Sequence, residues 1–344
     1  MSKQSLFIIA LTVMSLTEAA TTHAATGNYE LVWNADFVAD QLPANWNIEV
    51  NDYGGGNNEL QYYCEKAVSL GKDPKEGKHC LILTATKELY GGRECTSGRV
   101  NTLGHTYFKY GKIEARIWFP NTANGLWPAF WMMGNDFNQV SWPACGETDI
   151  VELGNYGGFN GIQDRYFNAA THWGPNPQGH CQYYKEYTCD YSVEDGFHVF
   201  TCIWSPEKVA MYVDRDIHPD AQPYYVMTIP VSDGIYEPGT YFHKPEFILL
   251  NLAVGGDFTG LYNINQITAL ADGPRSMYID WIRVYQCGDD GQSFYSDVPS
   301  EAIEGASSVE NVTIDATAVK QLIDGQFLIR RGDMLYDMQG KCIH

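Results

Sequence analysis

Between Tyr29 and Gln286 the chain is a succession of short β-rich runs cut by Gly, Pro, Asn and Asp, and this punctuation constrains its fold more than any single motif. The runs include Leu81–Thr86, Gly111–Trp118, Ala129–Met133, Thr148–Leu153, His198–Trp204, Val209–Val213, Phe247–Leu252 and Met277–Tyr285. Many alternate apolar with polar side chains, as half-buried antiparallel strands do, and no long stretch keeps a helical period. Strands this numerous and this closely spaced predict an all-β fold, two stacked sheets in a jelly-roll sandwich. With 344 residues, 44% of them hydrophobic, the chain can bury a sizeable core in one large domain or two smaller ones.

The two ends have a different texture. Lys3, the apolar run Leu6–Leu16 and the small residues up to Thr22-His23-Ala24 follow the charged, apolar, small order of a secretory signal peptide, expected over 1–24. That run is too short for a bilayer about 30 Å thick, which needs about 20 residues, and no later stretch reads as a membrane span. A secreted protein is expected, with its main domain over 27–287. Beyond Cys287, Gly288–Val309 is rich in Asp, Ser, Gly and Glu and reads as a linker. The remainder holds two β-like runs, Gln326–Arg331 and Met334–Met338, around a Gly332-Asp333 turn; it is too small for its own core and reads as a sorting or anchoring appendix or as a degraded add-on. Nine cysteines in an exported chain permit disulfides. Cys181 and Cys189 flank a Tyr-rich stretch and are the expected pair, with a second pair among Cys64, Cys80 and Cys95. No Cys/His spacing reads as a zinc site.

Charge narrows the ligands. Against 22 Lys and Arg stand 42 Asp and Glu, a formal net charge of -20. Phosphate backbones and anionic membranes need clustered cations, so nucleic-acid and membrane-surface binding are disfavoured, as are heavily sulfated polymers. Aromatic residues make up 14%, including 9 Trp and 23 Tyr, which serve either a β core or a groove that stacks on sugar faces.

The chemistry concentrates in Trp142-Pro143-Ala144-Cys145-Gly146-Glu147-Thr148-Asp149-Ile150-Val151-Glu152-Leu153. A regular strand would put Glu147, Asp149 and residue 151 on one face, but residue 151 is Val and the third acid arrives one position late. A one-residue β-bulge between Asp149 and Glu152 would return all three acids to the same face. Such crowding raises at least one pKa and leaves one acid ionised beside one protonated near neutral pH. One carboxylate to attack and one carboxylic acid to protonate a leaving oxygen are the requirements of glycosidic bond cleavage. The bland alternative is a solvated acidic face on an edge strand.

Glu147-Thr148-Asp149-Ile150-Val151-Glu152 resembles the bulged catalytic signature of glycoside hydrolase family 16, in particular its laminarinase-like endo-β-glucanases. The resemblance runs over about residues 29–286 and includes Asn57-Asn58-Glu59-Leu60-Gln61, Ser97-Gly98-Arg99-Val100, Gly111-Lys112-Ile113-Glu114-Ala115-Arg116, Leu126-Trp127-Pro128-Ala129-Phe130-Trp131-Met132, Asn251-Leu252-Ala253-Val254-Gly255-Gly256 and Ile279-Asp280-Trp281-Ile282-Arg283-Val284-Tyr285. It implies a concanavalin A-like jelly roll with an open concave cleft. It further implies Glu147 as nucleophile, Glu152 as acid/base and Asp149 between them. The implied activity is endo-hydrolysis, with retention, of β-1,3 bonds or of β-1,4 bonds next to β-1,3 ones. The partner is then a β-glucan chain, no organic cofactor is required, and a monomer is expected.

Groove residues follow from the same resemblance. Trp127, Ala129 and Trp131 share one strand face with Phe130 and Met132 opposite, and period alone does not say which face is the cleft. Trp142, Trp131 and Trp127 are the expected sugar-stacking residues, Arg99 a donor fork to hydroxyls, Asn58 a polar contact and His172 a neighbour of the acid/base. Asp280 matches a position that ligates a structural calcium in many relatives; the alternative there is a hydrogen-bonded buried Asp. Cys145 places a thiol two residues from Glu147. The competing functions are a β-glucan-binding lectin-like jelly roll and a hydrolase of the same family acting on a galactan.

Overall fold

The computed structural model describes residues 29–231, 234–288 and 291–300 and the strand segments 319–323, 326–331 and 334–336. The expected signal peptide over 1–24 lies outside the described residues. The chain divides into one unit ending at Glu301 and a second beginning at Ala302.

In the first unit the strands that frame the site are, in chain order, β1 (Glu30–Ala35), β2 (His79–Tyr90), β3 (Arg99–Asn101), β4 (Thr106–Lys109) and β5 (Gly111–Trp118). Next come β6 (Leu126–Gly134), β7 (Glu147–Leu153), β8 (Tyr166–Trp173), β9 (Cys181–Thr188) and β10 (His198–Trp204). The series ends with β11 (Lys208–Val213), β12 (Tyr225–Thr228), β13 (Glu246–Val254), β14 (Arg275–Gln286) and β15 (Ser293–Ser296). Two large sheets result. One has the order β12-β11-β10-β5-β14-β2, with β1 on β14; the other runs β9-β8-β7-β6-β13-β3, with β4 on β13 and β15 on β4. Every one of these pairings is antiparallel. This is the expected jelly-roll sandwich.

The alternation read from the sequence is what stacks the sheets. In β5, Ile113, Ala115 and Ile117 are buried while Lys112, Glu114, Arg116 and Trp118 are only half-buried on the outer face. Phe130, Met132, Ile150, Val151, Phe167, Phe200, Ile248, Leu250 and Ile282 meet between the sheets in one core. Each such side chain contributes roughly 1.5–3 kcal/mol of burial. β13, at the middle of the second sheet, is buried along its whole length. Its alternate residues Phe247 and Leu249 belong to a second cluster with Met133 and Cys145 on the opposite face of that sheet. No helix among the described residues is long and apolar enough to cross a membrane.

Two expectations are corrected here. The chain does not leave the sandwich at Cys287: Ser293–Ser296 pairs with β4, and Tyr295 stacks on Tyr107 with ring centroids 4.9 Å apart. The stretch expected to be a linker thus includes a strand of the sheet, and Asp289 and Asp290 lie outside the described residues. Nor are Cys181 and Cys189 paired. The residues between them form one continuous strand, so at about 3.3 Å per residue their backbones are some 26 Å apart, well beyond the about 7 Å a disulfide spans. Cys64, Cys80 and Cys95 are likewise thiols, as are Cys145 and Cys202. In the second unit, Val319–Ile323, Gln326–Arg331 and Met334–Tyr336 form a three-stranded antiparallel sheet; its first strand was not anticipated, and the Gly332-Asp333 turn lies outside the described residues.

Candidate active site

Strand β7 carries the bulge. Against β6, Phe130 faces Val151 while Trp131 faces Asp149, so Ile150 has no partner; against β8, Ala170 faces Asp149 and Asn168 faces Glu152. Two residues, Ile150 and Val151, thus stand opposite one, Ala169, as a β-bulge requires. Both insert into the core with no exposed surface. Their neighbours Asp149 and Glu152 therefore share the other face with Glu147, and the three acids line one cavity of about 740 Å³. Gly154 closes the strand at φ 92, where a Cβ would lie 1.8 Å from the Leu126 carbonyl oxygen.

The acids perturb one another. Burial, then the adjacent Asp149, pushes Glu147 up to about 8 from an ordinary 4.5. Burial and Asp149 push Glu152 up to about 8 as well, opposed by His172 and by the Trp127 indole, whose Nε1 donates to Glu152 Oε1 at 2.9 Å. Asp149 is held well above the carboxylate range by burial and, behind it, by Glu246. Glu246 is buried on the core side of the sheet and accepts from Thr148 Oγ1 at 3.2 Å. Carboxyls this close and this dry do not all ionise near neutral pH, which leaves some as proton donors and others as carboxylates. The Cys145 thiol beside them is fully buried and pushed up to about 12 by burial, then by Glu147, so it is neither ionised nor bridged.

The cleft face of β6 is the one bearing the indoles: Trp127, Ala129, Trp131 and Met133 line the cavity, while Phe130 and Met132 are core. Trp127 stacks on Phe258 with centroids 4.7 Å apart and planes at 14°. Trp131 Nε1 donates to Asn251 Oδ1 at 2.7 Å, and the Arg99 guanidinium lies 4.9 Å over its ring. Arg99 is 7% exposed and donates from Nε to Glu49 Oε1 at 2.8 Å, so part of its fork is spent on a structural ion pair while the residue lines the cavity. His172 Nε2 lies 3.2 Å from Asp149 Oδ2 and 3.9 Å from Glu147 Oε1, and Trp142 stands 6.4 Å from the His172 ring. Glu147, Asp149 and His172 put ligand atoms within 4.8 Å of one another, with the His172 imidazole beside Asp149 and no hydrogen bond closed to Asp149 Oδ2.

Two sequence-derived residues fall elsewhere. Asn58 lines an adjoining cavity of about 480 Å³ that shares Tyr53, Glu59 and Asp257 with the acid-lined one; its side chain donates to Asp257 at 3.0 Å and 3.2 Å, and its neighbour Asn57 lines the cavity of the acids. Asp280 accepts from Arg116 Nη1 at 2.5 Å in an ion pair that also engages Glu76. A guanidinium therefore already neutralises this buried carboxylate, as the alternative of a hydrogen-bonded buried Asp requires. Conversely, His180, Gln182, Tyr184 and Glu186 line the cavity from β9 and its entry, and none was anticipated. Gln182, Tyr184 and Glu186 recur at a period of two, a signal that the Tyr-rich stretch carried.

Paired carboxylic acids under a sugar-sized groove walled by indoles are the means by which proteins break glycosidic bonds. A glycoside hydrolase is the class this fold and site define. The sequence matches the model of glycosyl hydrolases family 16 over residues 58–228. A beta-glucanase from Rhodothermus marinus is 30% identical over 269 residues, 75% of this chain and 86% of that protein. The clotting factor G alpha subunit of Tachypleus tridentatus is 29% identical over 308 residues, 87% of this chain, which spans only 40% of that protein. Among solved structures, the Bacteroides ovatus family 16 enzyme of a mixed-linkage glucan locus, in complex with a G4G4G3G product, superposes with a TM-score of 0.64 at 39% identity, covering 74% of this chain and 100% of that one. The chain belongs to glycosyl hydrolase family 16.

Proposed function

We propose that this protein is a retaining endo-β-glucanase that cuts internal bonds of β-1,3 or mixed-linkage β-1,3-1,4 glucans. The observation that carries the reading is the bulge at Ile150–Val151, which gathers Glu147, Asp149 and Glu152 along one wall of the cavity. Glu147, as carboxylate, attacks the anomeric carbon while Glu152, as acid, protonates the departing oxygen; a covalent glycosyl-enzyme forms. Glu152, now a carboxylate, takes a proton from water, whose oxygen attacks the same carbon and releases Glu147. Burial, then Asp149 between them, holds both glutamates above their ordinary pKa. Trp142, Trp131 and Trp127 form the stacking wall, and Arg99 and His172 face the sugar hydroxyls from either side of the acids.

Likeness to a beta-glucanase and to a mixed-linkage glucan enzyme supports this substrate class, as does a cleft with no clustered cations for a sulfated chain. No organic cofactor enters any step. The apolar N-terminal run supports export. The test is release of reducing ends from laminarin and from barley mixed-linkage glucan, with the anomer formed first read by proton NMR. Wild type is expected to release oligosaccharides as the β-anomer and Glu147→Ser to release none. An α-anomer would overturn retention, and intact polymers in both cases would overturn the substrate.

A further inference from the structure

One group in the cavity is used by no step above. His180 precedes β9 by one residue and follows the turn Pro177–Gly179. Gly174 allows that turn to close, since a Cβ there would meet the Gly179 carbonyl oxygen at 2.2 Å. Gln182 is the register partner of His172, so His180, two residues earlier, is its diagonal neighbour on the same face. The two rings lie nearly parallel, at 18° and 5.1 Å between centroids, with His172 Nδ1 and His180 Nε2 2.9 Å apart. On its other side His180 contacts the Trp142 ring at 4.8 Å.

We propose that His180 is a positioning residue for the hydrolytic site, fixing His172 in the tautomer that turns Nε2–H toward Asp149. Two ring nitrogens 2.9 Å apart share one proton, so one donates and the other accepts. With both rings neutral either nitrogen can donate, and the unpartnered Asp149 Oδ2 selects the arrangement in which His180 Nε2 donates and His172 Nδ1 accepts. The remaining proton of His172 is then on Nε2, facing Asp149 Oδ2 at 3.2 Å, a buried oxygen with no hydrogen-bond partner of its own. Burial and the facing His172 lower His180 below its ordinary value, so His180 meets His172 as a neutral ring. The middle acid then meets a donor. Without His180, neutral His172 can place its proton on Nδ1 and present a lone pair to Asp149, which then needs to stay protonated.

This role rests on the catalytic reading of the three acids, so the experiment has one arm that does not. Full-length protein labelled with 15N-histidine reports the His172 tautomer at pH 7.5. Wild type is expected to show His172 protonated on Nε2 and bare on Nδ1, and His180→Phe to show a mixture. His180→Gln, whose carboxamide N–H reaches Nδ1, restores the wild-type signature; His180→Asn, polar but too short, does not, and it stands in if the Phe variant fails to fold. On barley glucan, His180→Phe is expected to lose about five- to tenfold in kcat with KM within about twofold, and its acid limb moves to higher pH. Unchanged His172 signals in both the Phe and Asn variants, or a Gln variant as impaired as Phe, would overturn the proposal. Tautomer loss in a protein that cleaves no β-glucan would uphold the positioning role and overturn the substrate.

Discussion

Replacing Glu147 by Gln is expected to stabilise the fold while it stops turnover. Glu147 has an ordinary pKa of 4.5 and is held at about 8 in the native state by burial and by Asp149. Between those values the native chain binds a proton that the unfolded chain has released, so native stability falls as pH rises through the window. One pKa unit is worth about 1.4 kcal/mol, so the two and a half units between 4.5 and neutral pH set a ceiling of about 3 kcal/mol. The side chain is 15% exposed and shares its repulsion with a neighbour, which brings the expected gain to about 1–2 kcal/mol. Gln occupies the same volume and never titrates. For a unit of this size the gain corresponds to a rise in Tm of roughly 2–8 °C. Calorimetry on wild type and variant at pH 4, 6 and 8 reads it: the difference is expected to be near zero at pH 4 and largest at pH 8. A variant no more stable than wild type at pH 8, or a gain as large at pH 4, would refute the claim that the native fold holds this acid against its will.

Other outcomes follow from single contacts. Trp127→Phe keeps the ring over Phe258 but removes the donor to Glu152, so the alkaline limb of kcat/KM is expected to move up by about 0.5–1 unit; an unmoved limb sinks the assignment. Reduction with a phosphine should leave Tm within about 1 °C, because the buried thiols between Cys64 and Cys202 form no bridge, and a drop of several degrees would contradict this. Asp280→Asn leaves Arg116 with Glu76 alone and is expected to cost about 1–3 kcal/mol, while chelation of calcium leaves wild-type Tm unchanged; a Tm that rises with added calcium and loses that rise in Asp280→Asn would place a metal at this position instead.

The fold was legible because its signal is local. The buried set of β5 is the set of apolar positions in its alternation, and the Gly and Pro punctuation falls at the turns. The acids were legible for a subtler reason: their spacing of two and then three fits no regular strand, and only an extra residue reconciles it. What resisted reading depends on partners distant in sequence. His180 and His172 meet because a hairpin folds back, and the alternation of Gln182, Tyr184 and Glu186 was hidden under a composition that suggested a loop. The same misreading made Cys181 and Cys189 look adjacent. Asn58 and Asn57 sit one residue apart, yet they line two adjoining cavities, a division that spacing does not display. The return of Ser293–Ser296 to the sheet depends on Tyr107, nearly two hundred residues earlier, which no window of sequence displays.

The bulge has a consequence for how such an enzyme varies over generations. Because Ile150 and Val151 are sunk side by side in the interior, the gap between the two glutamates is set by aliphatic volume on the far side of the sheet. Trimming one methyl there, ordinarily among the mildest of replacements, shifts the seat of the whole acidic ridge. Catalytic speed and interior fit are therefore tied to the same few carbon atoms, and lineages that repack this spot are expected to retune their chemistry without touching a polar residue.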